Sequence, residues 1–159
     1  MTSAPPRFPP HPIRGVRILH QKQNCAPHFA EIEVDFEPAA EGFAFEVAQE
    51  LTVDYEPAEA LSRFFAAAAV GIEEQLSLPE HGVVIATRVV LRRARAATFG
   101  SHELAFKIAG HLAARKALER TGCPRPQACC PGRSDEQYAE LVTTTALRAG
   151  ETPGRYRPG

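Results

Sequence analysis

No stretch of this 159-residue chain is apolar for long enough to cross a bilayer. The N-terminus, MTSAPPRFPPHP, is rich in proline and has no hydrophobic core of a signal peptide. The expectation is a cytoplasmic protein with no membrane partner. Charge of one sign is lacking too: 18 Lys and Arg stand against 19 Asp and Glu, a formal net charge of −1. The summed field is therefore close to neutral, and any polyanion would have to be gripped by a local patch. The motifs of self-contained nucleotide chemistry are missing. There is no G-x-x-x-x-G-K-[ST] and no G-x-G-x-x-G after a strand, and neither H-E-x-x-H nor G-x-S-x-G occurs. No cofactor, no nucleotide and no enzymatic activity are expected.

What is present is an ordinary soluble composition, 44% hydrophobic and 23% charged, enough for one domain with a core. Residues 1–12 read as a disordered or extended Pro-rich arm. A domain follows over residues 13–122. Its first run, Ile13 to His20, suits an edge strand. In FAEIEVDFE, Ala30, Ile32, Val34 and Phe36 alternate with Glu31, Glu33, Asp35 and Glu37. Period two sends the apolar set to a core and the carboxylates to a solvated outer face. Phe43, Phe45 and Val47, then Leu51, Val53 and Tyr55, continue the alternation, with a break near Gln49. Pro57 suits the first turn of a helix to about Leu76, with Leu61, Phe64, Phe65, Ala68 and Ile72 as its apolar stripe. GVVIATRVVL reads as a strand buried on both faces.

The next ten residues, RRARAATFGS, read as a loop crowded with Arg92, Arg93 and Arg95. A second helix over 101–120 comes next, with Ser101 as N-cap, Arg115, Lys116 and Arg120 toward its end, and Gly122 at the left-handed closing position. Residues 123–133 form a Pro/Cys linker, and 134–159 a C-terminal helix and tail opened by a capping box at Ser134–Gln137. The order β-β-β-α-β-α predicts an α+β, two-layer sandwich, with a mixed sheet and both helices on one face.

Cys123, Cys129 and Cys130 are the only cluster with ligand chemistry, but they lack the C-x₂₋₄-C pair usual at zinc sites. Reduced tail thiols are the expected state. Cys25 is a lone loop thiol with no adjoining basic residue. His111 has no second ligand at i+4 and suits a helix rim.

SHELAFKIAGHLAARKAL resembles the -AFKIAG- helix of domain IV of bacterial elongation factor G, which is preceded by an Asp-Ser-Ser loop. The likeness continues in register through HFAEIEVDFEP, GFAFE, AAAAVGIEEQL and GVVIATRVVL, over roughly residues 15–120. The resemblance implies that domain's fold, a β-α-β sandwich with a left-handed crossover, an exception to the usual handedness. It also implies that the loops Gln21–His28 and Arg92–Gly100 form the tip that contacts RNA in the small ribosomal subunit. The tip departs from the family: Asn24-Cys25-Ala26-Pro27-His28 replaces a glycine-rich loop. Ala97 stands where the family has histidine, Gly100 where it has aspartate, and only Ser101 of the Asp-Ser-Ser motif is kept.

The expected function is accordingly a non-enzymatic protein of translation, without the GTPase domain, that binds the small ribosomal subunit or structured RNA. Arg92, Arg93 and Arg95 would contact phosphates, with Gln23 and His28 adding hydrogen bonds. A protein–protein module is the alternative, with Tyr138, Leu141, Val142 and Thr145 of the tail helix binding a partner or closing a homodimer. A small metal protein using Cys123, Cys129, Cys130 or His102 is the third.

Overall fold

The structure is a computed structural model that describes residues 3–122. The linker with Cys123, Cys129 and Cys130 and the expected helix of the tail lie outside the described residues. Five strands and two helices succeed one another as β1 (Arg7–Phe8), β2 (Ile13–Lys22), β3 (His28–Pro38), β4 (Gly42–Val47), α1 (Glu59–Leu76), β5 (Val84–Arg95) and α2 (Glu103–Arg120). The sheet is mixed. Strand β3 lies antiparallel to both β2 and β5, while β4 and β1 run parallel to β5. Because β4 and β5 are adjacent and parallel, α1 is the crossover of a β-α-β unit. The α+β class and the two-layer arrangement expected from the element order are both present.

One face of the sheet and the two helices share a single core. Ala30, Ile32, Val34 and Phe36 of β3 and Val89, Leu91 and Ala94 of β5 meet Phe64, Ala68 and Ile72 of α1 and Ala105, Phe106 and Ala109 of α2. Phe64 and Phe106 stack at 5.0 Å. Small residues line the helix–helix seam: a Cβ on Gly71 would lie 2.2 Å from the Lys107 carbonyl oxygen, and one on Gly110 2.2 Å from that of Ala68. Contact of backbone with backbone is what makes both positions glycine. Lys116 and Arg120 of α2 donate to the carbonyls of Arg17 and Arg14, tying the helix to the edge strand β2.

The N-terminal arm, expected to be disordered or extended, is extended strand at Arg7–Phe8. Phe8 belongs to β1, pairs with Ile85 and is fully buried against Phe36. Its apolar area outweighs the proline-rich surroundings that read as disorder. The alternation after Val47 does not continue as strand. Residues 48–55 have no strand assignment, although Leu51, Val53 and Tyr55 still pack against the core.

The largest correction concerns the arginine run, which is strand and not loop. In β5, Leu91 stands opposite Val34 and Arg93 opposite Glu33, so Arg92 is an extra residue in a β-bulge. The bulge reverses the parity of the rest of the strand. Ala94 turns into the core, and Arg93 and Arg95 stand opposite Glu33 and Glu31 on the outer face. A broken period of two looked like a loop; it marks an inserted residue.

Candidate nucleic-acid interface

The outer face of the sheet is a ladder of ion pairs, not the simple hydrated surface expected. Glu31 and Asp35 are each only 6% exposed. Glu31 accepts from Arg95 at 2.9 Å and from Arg17 on the other neighbouring strand. Asp35 accepts from Arg92 Nε at 2.9 Å and from the Gly15 backbone N–H at 2.8 Å, joining three strands. Glu37 binds Arg88. Burial alone would raise the Glu31 carboxyl, but hydrogen bonds and charge from Arg17 and Arg95 outweigh it and hold the group below the usual range. Hydrogen bonding to Asp35 and Glu37 likewise raises the Arg92 and Arg88 guanidinium groups.

Of the three arginines singled out in the sequence, then, Arg92 is held by Asp35, with Glu50 at 3.6 Å. Arg95 shares Glu31 with Arg17 while staying largely exposed, and its guanidinium lies 6.0 Å from the centre of the Phe29 ring. Arg93 is exposed, and among the described residues no carboxylate pairs with it. Arg17, Arg93 and Arg95 border one shallow groove with Glu31 and Glu33.

Beside this groove the parts of the two expected loops that lie outside the strands, residues 23–27 and 96–102, form one tip. The Phe29 N–H donates to the Gly100 carbonyl at 2.8 Å. Ser101 Oγ donates to the Phe29 carbonyl at 2.7 Å and accepts from the Ala97 N–H at 2.8 Å. Ser101 is thus a cross-link between the loops. The N-cap of α2, assigned to it from sequence, is His102, whose Nδ1 accepts from the Ala105 N–H. Gly100 has φ +102°, and a Cβ there would come within 3.2 Å of the His28–Phe29 peptide. Only glycine allows both the turn and the approach. This bracing leaves Phe99 86% exposed at the crest. Gln23 is exposed on the neighbouring loop, whose Asn24 side chain accepts from the Ala26 N–H. Neither Phe99 nor the linking role of Ser101 was found from sequence, because both depend on contacts between distant parts of the chain.

His28 is only partly exposed. Its Nδ1 lies 3.3 Å from His20 Nε2, and its ring meets that of His102 edge-on, with centroids 4.6 Å apart. The three rings form one cluster, of which His20 is the buried member. His111 stands elsewhere, with Nε2 3.2 Å from a Glu74 oxygen and Nδ1 3.4 Å from Gln75 Oε1. Burial lowers its ring's affinity for a proton against the pull of Glu74. Cys25 is an exposed free thiol. Among the described residues no three His, Cys, Asp or Glu side chains are placed to hold a metal ion, and no helix is long and apolar enough to cross a membrane.

No family model matches the chain, and no curated protein sequence does. A crystal structure of a protein from Thermus thermophilus is similar at 17% identity and a TM-score of 0.47. The likeness covers 93% of this chain and 22% of that one, so the chain spans about a fifth of that protein's length. Neither a family nor an activity follows from a likeness of this degree.

Proposed function

We propose that this protein is a non-enzymatic RNA-binding protein of the translation apparatus, related to domain IV of elongation factor G, that meets the small ribosomal subunit or another structured RNA with its tip. The observation that carries the reading is the joining of residues 96–101 to Phe29 by Gly100 and Ser101. A tip ordered before binding loses less conformational freedom when it docks. On this reading the β4–α1–β5 connection is that domain's left-handed crossover.

The roles of the five residues chosen from sequence then divide. Arg93, exposed and without a carboxylate partner among the described residues, is the first phosphate contact, and Arg95 the second. Gln23 adds hydrogen bonds from the adjoining loop. Arg92 holds the bulge through Asp35 and helps indirectly. His28 supports the tip from below. Phe99 adds an aromatic face on which an unpaired base can stack, the usual partner of cationic side chains in single-stranded recognition.

Co-sedimentation with ribosomes from lysate tests the reading. The parent should appear with the small subunit at low salt and leave it as salt rises. A parent that stays in the supernatant at every salt concentration would direct attention to a protein partner or a homodimer. For that second reading the exposed Val70 and Leu78, beside His111 on the helical layer, are the surface to examine.

A further inference from the structure

We propose that His20 and His28, packed against His102, form a pH-responsive lock on the tip, closed while the His20 and His28 rings are uncharged and released when they take up protons. Such a lock belongs to the junction itself, whatever the tip binds.

The rings come from three elements: His20 from β2, His28 from the start of β3, and His102 from the N-cap of α2. His20 and His28 meet edge-on with centroids 5.3 Å apart, and one ring nitrogen of each is 3.3 Å from the other's. Such a contact needs one N–H and one bare nitrogen. If both rings were protonated, two N–H groups would face each other and two like charges would be in contact. On its other side the His28 ring meets His102, whose Nδ1 accepts from the Ala105 N–H and so fixes its ring at the start of α2.

The charged and titratable groups acting on His20 are His28 from β3, His102 from α2 and Lys22 along β2. All are cationic when charged, and no carboxylate is among them. Burial, followed by these neighbours, lowers His20 from 6.5 to about 4. His28 is lowered as well, by burial first and then by His102 and Lys22.

The lock sits next to what it would hold. His28 precedes Phe29, whose N–H and carbonyl both bond the 96–101 segment, and His102 comes directly after Ser101. Pushing the rings apart therefore pulls on both sides of the junction. Linkage sets the sign. A histidine lowered in the closed state leaves closure intact above about 6.5 and weakens it progressively as pH falls toward 4. For His20 alone, a drop from pH 7.5 to pH 5 shifts the closed-to-open ratio by roughly 30-fold toward open.

Hydrogen exchange of the Phe29 and Ala97 amides, corrected for the intrinsic pH dependence of exchange, reads that ratio. Their protection should fall by tenfold or more between pH 7.5 and pH 5, while that of the Val34 and Val89 amides holds. The double variant His28→Gln/His102→Asn keeps hydrogen-bonding groups and a good N-cap residue but removes the His28 ring and both imidazole neighbours of His20, so its loss should be markedly smaller. In the parent, the His20 ring resonances should titrate near pH 4. Titration near the ordinary 6.5, pH-independent protection, equal losses in parent and variant, or simultaneous loss across the whole sheet would each overturn the proposal.

Discussion

Ser101→Ala is the sharpest perturbation of the tip, because one hydroxyl there serves both loops. It donates to the Phe29 carbonyl at 2.7 Å and accepts from the Ala97 N–H at 2.8 Å. Each such bond contributes about 1 kcal/mol net, and a partner left without water would add to the loss. Both partners sit in a part-buried site that water reaches in part, so the sum should fall near about 2 kcal/mol. It should not reach the scale of unfolding, since the Phe29 N–H still donates to Gly100 at 2.8 Å. The helix start is also spared, because His102 and not Ser101 caps α2. Urea unfolding tracked by circular dichroism measures the change, with a lower midpoint at an unchanged slope. Ser101→Thr keeps the hydroxyl and should recover most of the loss. A decrease under about 0.5 kcal/mol for the alanine variant, the range of an ordinary surface substitution, would refute the linking role.

Three further outcomes are expected. Gly110→Ala gains about 1 kcal/mol of helix propensity, but its Cβ would lie 2.2 Å from the Ala68 carbonyl oxygen. Overpacking of about 1–3 kcal/mol or more wins, so the variant should melt lower, and one that melts higher would contradict the close helix seam. Arg92→Ala should lower stability by leaving Asp35 with a single donor, Gly15, while changing the salt dependence of RNA binding less than Arg93→Ala does; the reverse order would exchange their roles. Phe99→Ala should leave the urea midpoint in place, since the ring is 86% exposed. It should weaken binding to RNA with unpaired bases by about 1–3 kcal/mol, the usual worth of one stacked base, and unchanged affinity would remove Phe99 from the interface.

Local pattern made much of the fold legible. The strict alternation of Ala30, Ile32, Val34 and Phe36 located the inner face of β3, and the stripe Phe64, Ala68 and Ile72 located that of α1. Gly122, with φ +70°, closes the second helix as expected. What stayed hidden depends on pairing between distant residues. The bulge at Arg92 shows only once β3 is laid beside β5, and without that register its broken alternation imitates a loop. The carboxylates of β3 were expected to be hydrated because nothing in their own segment announces the arginines of β2 and β5. Ser101 reaches Phe29 across 72 positions, and the histidine cluster draws on three elements. The region of the candidate site was thus legible in the sequence, but its arginines stand on β5 and not in a loop, and their partners were not legible.

The most direct test of the central claim is a titration of small-subunit ribosomal RNA with the parent and with Arg93→Ala across a series of salt concentrations. Saturable binding by the parent is expected, with log K falling linearly with log salt. Arg93→Ala should bind more weakly at every salt, its slope smaller by about 0.7–0.9 for the lost phosphate contact. Its urea midpoint should match the parent's, because Arg93 is exposed and, among the described residues, pairs with no carboxylate. A parent that does not bind, or a variant with the parent's affinity and slope, would contradict the account.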